Sequence, residues 1–188
     1  MSRRISRLLG TGLALFFALC VAAWASSKFL DSKDAKESDE PQKFLPDYDK
    51  LAKGHEADWS YFPAGSLKSY KTVEVKEFDH NGHGESRDAS REGRDYMEQW
   101  LDKSGFKVVK SGAEMIVEGN VFNAWEPHGA ARYWGGWMAN PGVGVEVLLK
   151  DAHGKVLGEI RHKSKGSTVR DAVENALEDV TKEIVKAK

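Results

Sequence analysis

The chain is expected to fold as an α+β domain: a largely antiparallel sheet of about five strands with two helices on one face, in the order β-α-β-β-β-β-α. Three observations predict it. Val143, Val145, Val147 and Leu149 alternate with Gly144, Glu146 and Lys150, the period-2 pattern of a strand. Val169, Ala172, Val173, Ala176, Leu177, Val180 and Ile184 recur at helical spacing. Alternating strands followed by an amphipathic helix imply a sheet with one covered face.

The elements follow in order. Met1 to Ala25 has the form of an export signal: Arg3, Arg4 and Arg7 precede the apolar run Leu8 to Ala25, which ends in Ala23-Trp24-Ala25. Cleavage after Ala25 is the expectation. A retained anchor is one alternative, because about 18 apolar residues can just span a bilayer. Lipidation at Cys20 is the other, since the cysteine is placed as a lipoprotein signal would place it, although Leu19 is larger than the small residue such a signal puts before it. Cys20 is the only cysteine, so a cleaved chain has no disulfide and no thiolate. The whole chain carries a net charge of −1, and losing three arginines leaves −4. That balance argues against nucleic-acid binding, which favours a basic stripe.

Residues 26–43, SSKFLDSKDAKESDEPQK, are polar and charged and read as a flexible spacer. Residues 44–188 then form a single domain. It opens with a ring-rich stretch, Phe44 to Tyr70, expected to wrap the domain as irregular chain. Lys71 to Phe78 is a strand, and Asp79 to Gly84 a loop. Ser86 to Ser104 is a helix whose inner face carries Ala89, Gly93, Tyr96, Met97, Trp100 and Leu101. Gly105 supplies its left-handed stop, with Phe106 packing back. Phe106 to Lys110 is a short strand and Met115 to Trp125 a longer one. The latter should place Met115, Val117, Gly119 and Val121 on one face and Ile116, Phe122 and Ala124 on the other. Asp151 to Gly154 is a hairpin turn leading into the strand Lys155 to His162. Ser167 or Thr168 caps the final helix.

Between the two best strands lies Glu126 to Gly144, EPHGAARYWGGWMANPGVG, which mixes glycines with Tyr133, Trp134 and Trp137. A ring buries roughly 150–250 Å², so at about 25 cal/mol per Å² each exposed ring forgoes on the order of 4–6 kcal/mol as an upper bound. Part of this ring area is therefore expected inside. Tyr133, Trp134, Trp137 and Met138 are the candidate binding residues, for a partner protein or for a glycan.

Other chemistry has weaker sequence support. His80 and His83 flank Asn81-Gly82 and would suit a divalent ion only with further ligands. Ser60, Ser66, Ser111, Ser164 and Ser167 lack a nucleophile elbow, and His128, His153 and His162 show no carboxylate orienter along the chain. Gly135-Gly136 has no phosphate-loop ending. No catalytic residue and no cofactor is expected, and a metal-dependent hydrolase is the weakest reading.

Several segments in order resemble an uncharacterised family of secreted bacterial envelope proteins and lipoproteins. They are Phe44-Leu45-Pro46-Asp47-Tyr48 with Leu51, the loop Arg132-Tyr133 with Gly135 and Gly136, Val143 to Leu149, then Asp151 and Gly154-Lys155-Val156-Leu157. The resemblance implies a layout similar to periplasmic domains of the LpoB, CsgG and TolB N-terminal type. Those are accessory and assembly proteins. Together with the export signal, the spacer and the lack of catalytic residues, it points to a non-catalytic exported protein expected to contact an envelope partner through the loop and one sheet edge. It supplies no ligand. A glycan- or peptidoglycan-binding module is the alternative, with Tyr133, Trp134 and Trp137 stacking on sugars.

Overall fold

The computed structural model describes residues 44–80, 86–126 and 140–188, all within one unit that spans Asp39–Lys188. The signal and spacer, His83, and the four candidate loop residues Tyr133, Trp134, Trp137 and Met138 lie outside the described residues.

A single 3-10 turn, Tyr48–Lys50, precedes strands β1 (Ala52–Lys53), β2 (Trp59–Tyr61) and β3 (Thr72–Val75). Helix α1 (Ser86–Lys103), β4 (Lys107–Val108), β5 (Met115–Trp125), β6 (Gly142–Asp151), β7 (Val156–Lys165) and helix α2 (Val169–Lys186) follow. They form one seven-stranded sheet in the order β1-β2-β7-β6-β5-β3-β4. The α+β class and the two helices are as expected. The sheet differs in two respects: β3 runs parallel to both β4 and β5, and β1 and β2 add a short antiparallel pair beside β7.

Both helices cover the same face. Met97 and Leu101 of α1 join Val173, Ala176, Leu177, Val180 and Ile184 of α2 over Met115, Val117, Val121, Val145, Val147, Leu149 and Ile160. Local chemistry fixes their ends. Gly105 has φ +82, and the Phe106 N–H reaches back to the Leu101 carbonyl at 3.1 Å, the left-handed stop that glycine adopts without cost. At α2, Thr168 accepts the Asp171 N–H at 3.0 Å.

The β5–β6 register shifts between Val121 and Asn123. This bulge gives β5 an extra residue, Phe122, and reverses the phase beyond it. Ala124 therefore joins the helix-side core with Val143, against the expected placement on the opposite face.

The ring-rich opening is more ordered than its composition suggests. Phe62 and Tyr70 pack on the helix-side core. Trp59 and Tyr61 fall on the other face, where they join Leu45, Leu51, Leu148, Phe44, Tyr48 and Val156. Residues 44–51 thus form a partial third layer.

Candidate functional site

Strands β5 and β6 bring the two ends of the glycine-aromatic loop together. Trp125 pairs with Gly142 and Asn123 with Gly144. A side chain at either glycine would collide with a ring. A Cβ at Gly142 would lie 1.9 Å from Trp125 Cζ2, and one at Gly144 would lie 2.3 Å from Phe122 Cζ. So Gly142 and Gly144 are required by close packing, with the rings of Trp125 and Phe122 lying against them on the far face of the sheet.

That face carries a buried polar cluster. The Arg161 guanidinium stacks on Phe122 at 3.7 Å from the ring centroid and pairs with Glu146. Glu146 also accepts from Asn120 Nδ2 at 2.9 Å and from the Tyr48 hydroxyl at 2.7 Å. Glu146 is 0 % exposed and Arg161 1 %. Burial pushes the Tyr48 hydroxyl up strongly, and the Glu146 charge and hydrogen bond push the same way. One pair further along β7, Glu159 is also 0 % exposed and accepts the Asp47 N–H at 3.0 Å.

A second cluster joins the β1–β2 turn to α2 and β7. Glu183 accepts from the N–H groups of His55 (2.9 Å) and Glu56 (2.7 Å) and from Ser60 Oγ (2.7 Å). Burial pushes its carboxyl up, but these bonds and one from the Ala57 N–H outweigh it and hold the group below the usual range. Asp58 accepts the Lys163 N–H at 2.8 Å. Its carboxylate lies 3.1 Å from His162 Nδ1, and His162 Nε2 faces Asp179 Oδ2 at 3.5 Å. Burial pushes Asp58 up. The hydrogen bond and charge of His162, with the Lys163 N–H, outweigh it and set the group below the aspartate range. An open cavity of about 560 Å³ adjoins this turn, lined in part by Lys53, His55, Phe62, Glu183 and Lys186.

His162 therefore does have carboxylate neighbours, contrary to the sequence expectation, because Asp58 and Asp179 come from distant elements. His80 is exposed, and its N–H donates to its own neighbour, Asp79 Oδ1, at 2.8 Å. Among the described residues no group of three or more His, Cys, Asp or Glu could hold a metal ion, and no helix is long and apolar enough to cross a membrane.

No protein-family model matches the sequence, and no curated protein matches it. Among solved structures, PelC from Paraburkholderia phytofirmans, solved as a dodecamer, is similar at 16 % identity, covering 69 % of this chain and 96 % of that one with a TM-score of 0.52. A point variant of the same protein, also a dodecamer, gives the same identity and score. The chain shares its fold with PelC. A minor lipoprotein from Acinetobacter baumannii (10 % identity, 63 % of this chain, 94 % of that one) and a DUF4136 family protein from Bacteroides thetaiotaomicron VPI-5482 (10 %, 68 % and 90 %) are similar with TM-scores of 0.33. The PelC likeness establishes the fold; scores of 0.33 lie below that level.

Proposed function

We propose that the chain is a non-catalytic, exported accessory protein of the bacterial envelope that acts by assembling with other envelope proteins, further copies of itself included. The observation that carries this reading is the fold shared with PelC, a protein solved as a dodecamer, over 96 % of PelC's length. The signal-like N-terminus and the polar spacer support it. The contact surface is assigned to the loop patch Tyr133, Trp134, Trp137 and Met138. Support comes from its flanks: β5 and β6 are two of the three long interior strands and carry the loop ends on a rigid, glycine-packed base.

Pull-down from envelope extract with wild type and Trp137→Ala, together with the solution mass of each, tests the reading. Loss of a partner or of the assembled species in the variant is expected. Identical partner profiles and masses would remove the loop from the proposal, and a strictly monomeric wild type with no partner would remove the proposal itself.

A glycan-binding module is the second reading, favoured by the ring content of the same loop beside half-buried Trp125. Cell-wall fragments titrated against tryptophan fluorescence would give a saturable change if it holds, and a flat titration would end it.

A further inference from the structure

The far face of the sheet is closed by the chain's own segment, Phe44–Leu51. Leu45 and Leu51 pack on Leu148. The Tyr48 hydroxyl donates to Glu146 at 2.7 Å, and the Asp47 N–H donates to Glu159 Oε2 at 3.0 Å. Beneath the segment lie two carboxylates, Glu146 and Glu159, and one guanidinium, Arg161, all at most 1 % exposed.

Their surroundings differ. Glu146 has Arg161, Asn120 and Tyr48 around it. Glu159 sits opposite Leu148 on one side and Tyr61 on the other. Its second oxygen, Oε1, is buried and accepts no hydrogen bond from any described residue. The charged and titratable groups facing it are Asp47, Tyr48 and Lys50 from the covering segment, Glu146 from β6, Arg161 from β7 and Tyr61 from β2. Lys50 is itself paired with Asp47 at 3.0 Å. One N–H bond does not replace the hydration shell of a carboxylate, so an ionised Glu159 is under-solvated here.

We propose that Phe44–Leu51 is a proton-latched strap, held against the sheet while Glu159 is neutral and loosened when Glu159 ionises. Lifting the strap is the shortest route by which that carboxylate regains water, because the strap is the layer above it and contributes its one hydrogen bond. Burial pushes the Glu159 carboxyl above the ordinary glutamate range; the Asp47 N–H and Lys50 oppose this and the Asp47 charge adds to it. The closed state therefore binds the proton more tightly than the open one. Closure is fully favoured at and below the ordinary glutamate range and weakens as pH rises through the raised value. Opening uncovers Leu148, Val156, Trp59 and Tyr61.

Amide hydrogen exchange on the intact chain, corrected for intrinsic rates, tests this. Peptides covering residues 44–51 should lose protection as pH rises above the glutamate range while α2 peptides do not. Glu159→Gln should keep the low-pH protection at neutral pH. Tyr48→Phe should lower strap protection at every pH and leave its pH dependence intact. A pH-independent strap in the wild type would overturn the proposal. So would a Glu159→Gln profile that follows the wild type, or a Tyr48→Phe variant that abolishes the pH dependence. Should Glu159→Gln fail to fold, the wild-type and Tyr48→Phe profiles decide the matter alone.

Discussion

Replacing Glu183 by alanine should detach the β1–β2 turn from the body of the domain. The carboxylate lies on α2, 3 % exposed, and gathers the N–H groups of His55, Glu56 and Ala57 and the Ser60 hydroxyl. His55 and Glu56 are exposed positions, so water can take over their donors. Ala57 is 4 % exposed and Ser60 half-buried, so their donors are stranded. At about 1–3 kcal/mol for each of the two stranded groups, the loss is on the order of 2–6 kcal/mol. For a domain of this size, at about 2–4 °C per kcal/mol, that corresponds to a fall in Tm of roughly 4–24 °C. Urea and thermal denaturation followed by circular dichroism would measure it, and hydrogen exchange would place the loss at residues 54–61. Glu183→Gln keeps one acceptor but turns an amide donor toward the same N–H groups, so it should recover only a minor part. A loss below about 1 kcal/mol, or one spread evenly over the sheet, would refute the assignment of Glu183 as the anchor of this turn.

Other outcomes follow from the same coordinates. Asp58 and Glu183 both titrate below their ordinary ranges in the folded chain. The unfolded chain therefore binds more protons, and their stabilisation is present above pH ~4 and lost as pH falls through the depressed values. The urea midpoint should drop on acidification, and Asp58→Asn should flatten that dependence. Gly119→Ala would place a Cβ 2.3 Å from Phe78 Cζ and should cost about 1–3 kcal/mol in urea titration, with Phe78→Leu restoring part of it. Thr168→Ala should cost about 1 kcal/mol through loss of the α2 cap, whereas Thr168→Ser should be near neutral.

What the sequence discloses and what it hides divide along the distance between partners. The α2 stripe, its Thr168 cap, the Gly105 stop and the Asp151–Gly154 hairpin are set by neighbours within a turn or two, and each stands where its local pattern puts it. The β1–β2 pair is different. Two or three residues cannot show a period, and their pairing partner on β7 lies about a hundred residues downstream, as in Trp59↔Arg161. Glu146 illustrates the same limit: in a valine-alternating strand it reads as a solvent-facing residue, yet it is buried among Arg161 and Asn120 of neighbouring strands and Tyr48 of the strap, a partner about a hundred residues away along the chain. Ala124 is misplaced by simple alternation because one extra residue, Phe122, shifts the register with no distinguishing local signal. At the flanks of the candidate loop, Gly142 and Gly144 take the rings of Trp125 and Phe122, contacts across β5 and β6 that strand alternation alone does not show. Its named residues, Tyr133, Trp134, Trp137 and Met138, fall outside the described residues.

The strand lengths carry a consequence for how the protein avoids sticking to itself. The three long strands, β5, β6 and β7, are interior to the sheet order, and the rims are two-residue strands, β1 and β4. β7 spans Val156–Lys165, and β2 pairs with only its Glu159 to Arg161 stretch, yet Asp58 takes the Lys163 N–H just beyond. A long open ladder would be a template for unwanted fibrils; here each rim ends after two residues, with Lys53 at one and Lys107 at the other. Among the described residues the largest exposed apolar side chain is Val185, at 39 %. Copies of this domain therefore have little to gain from zipping along the β1 or β4 rims, and loops and side chains, which can be selective where a bare backbone edge cannot, are the expected route to any ordered multimer.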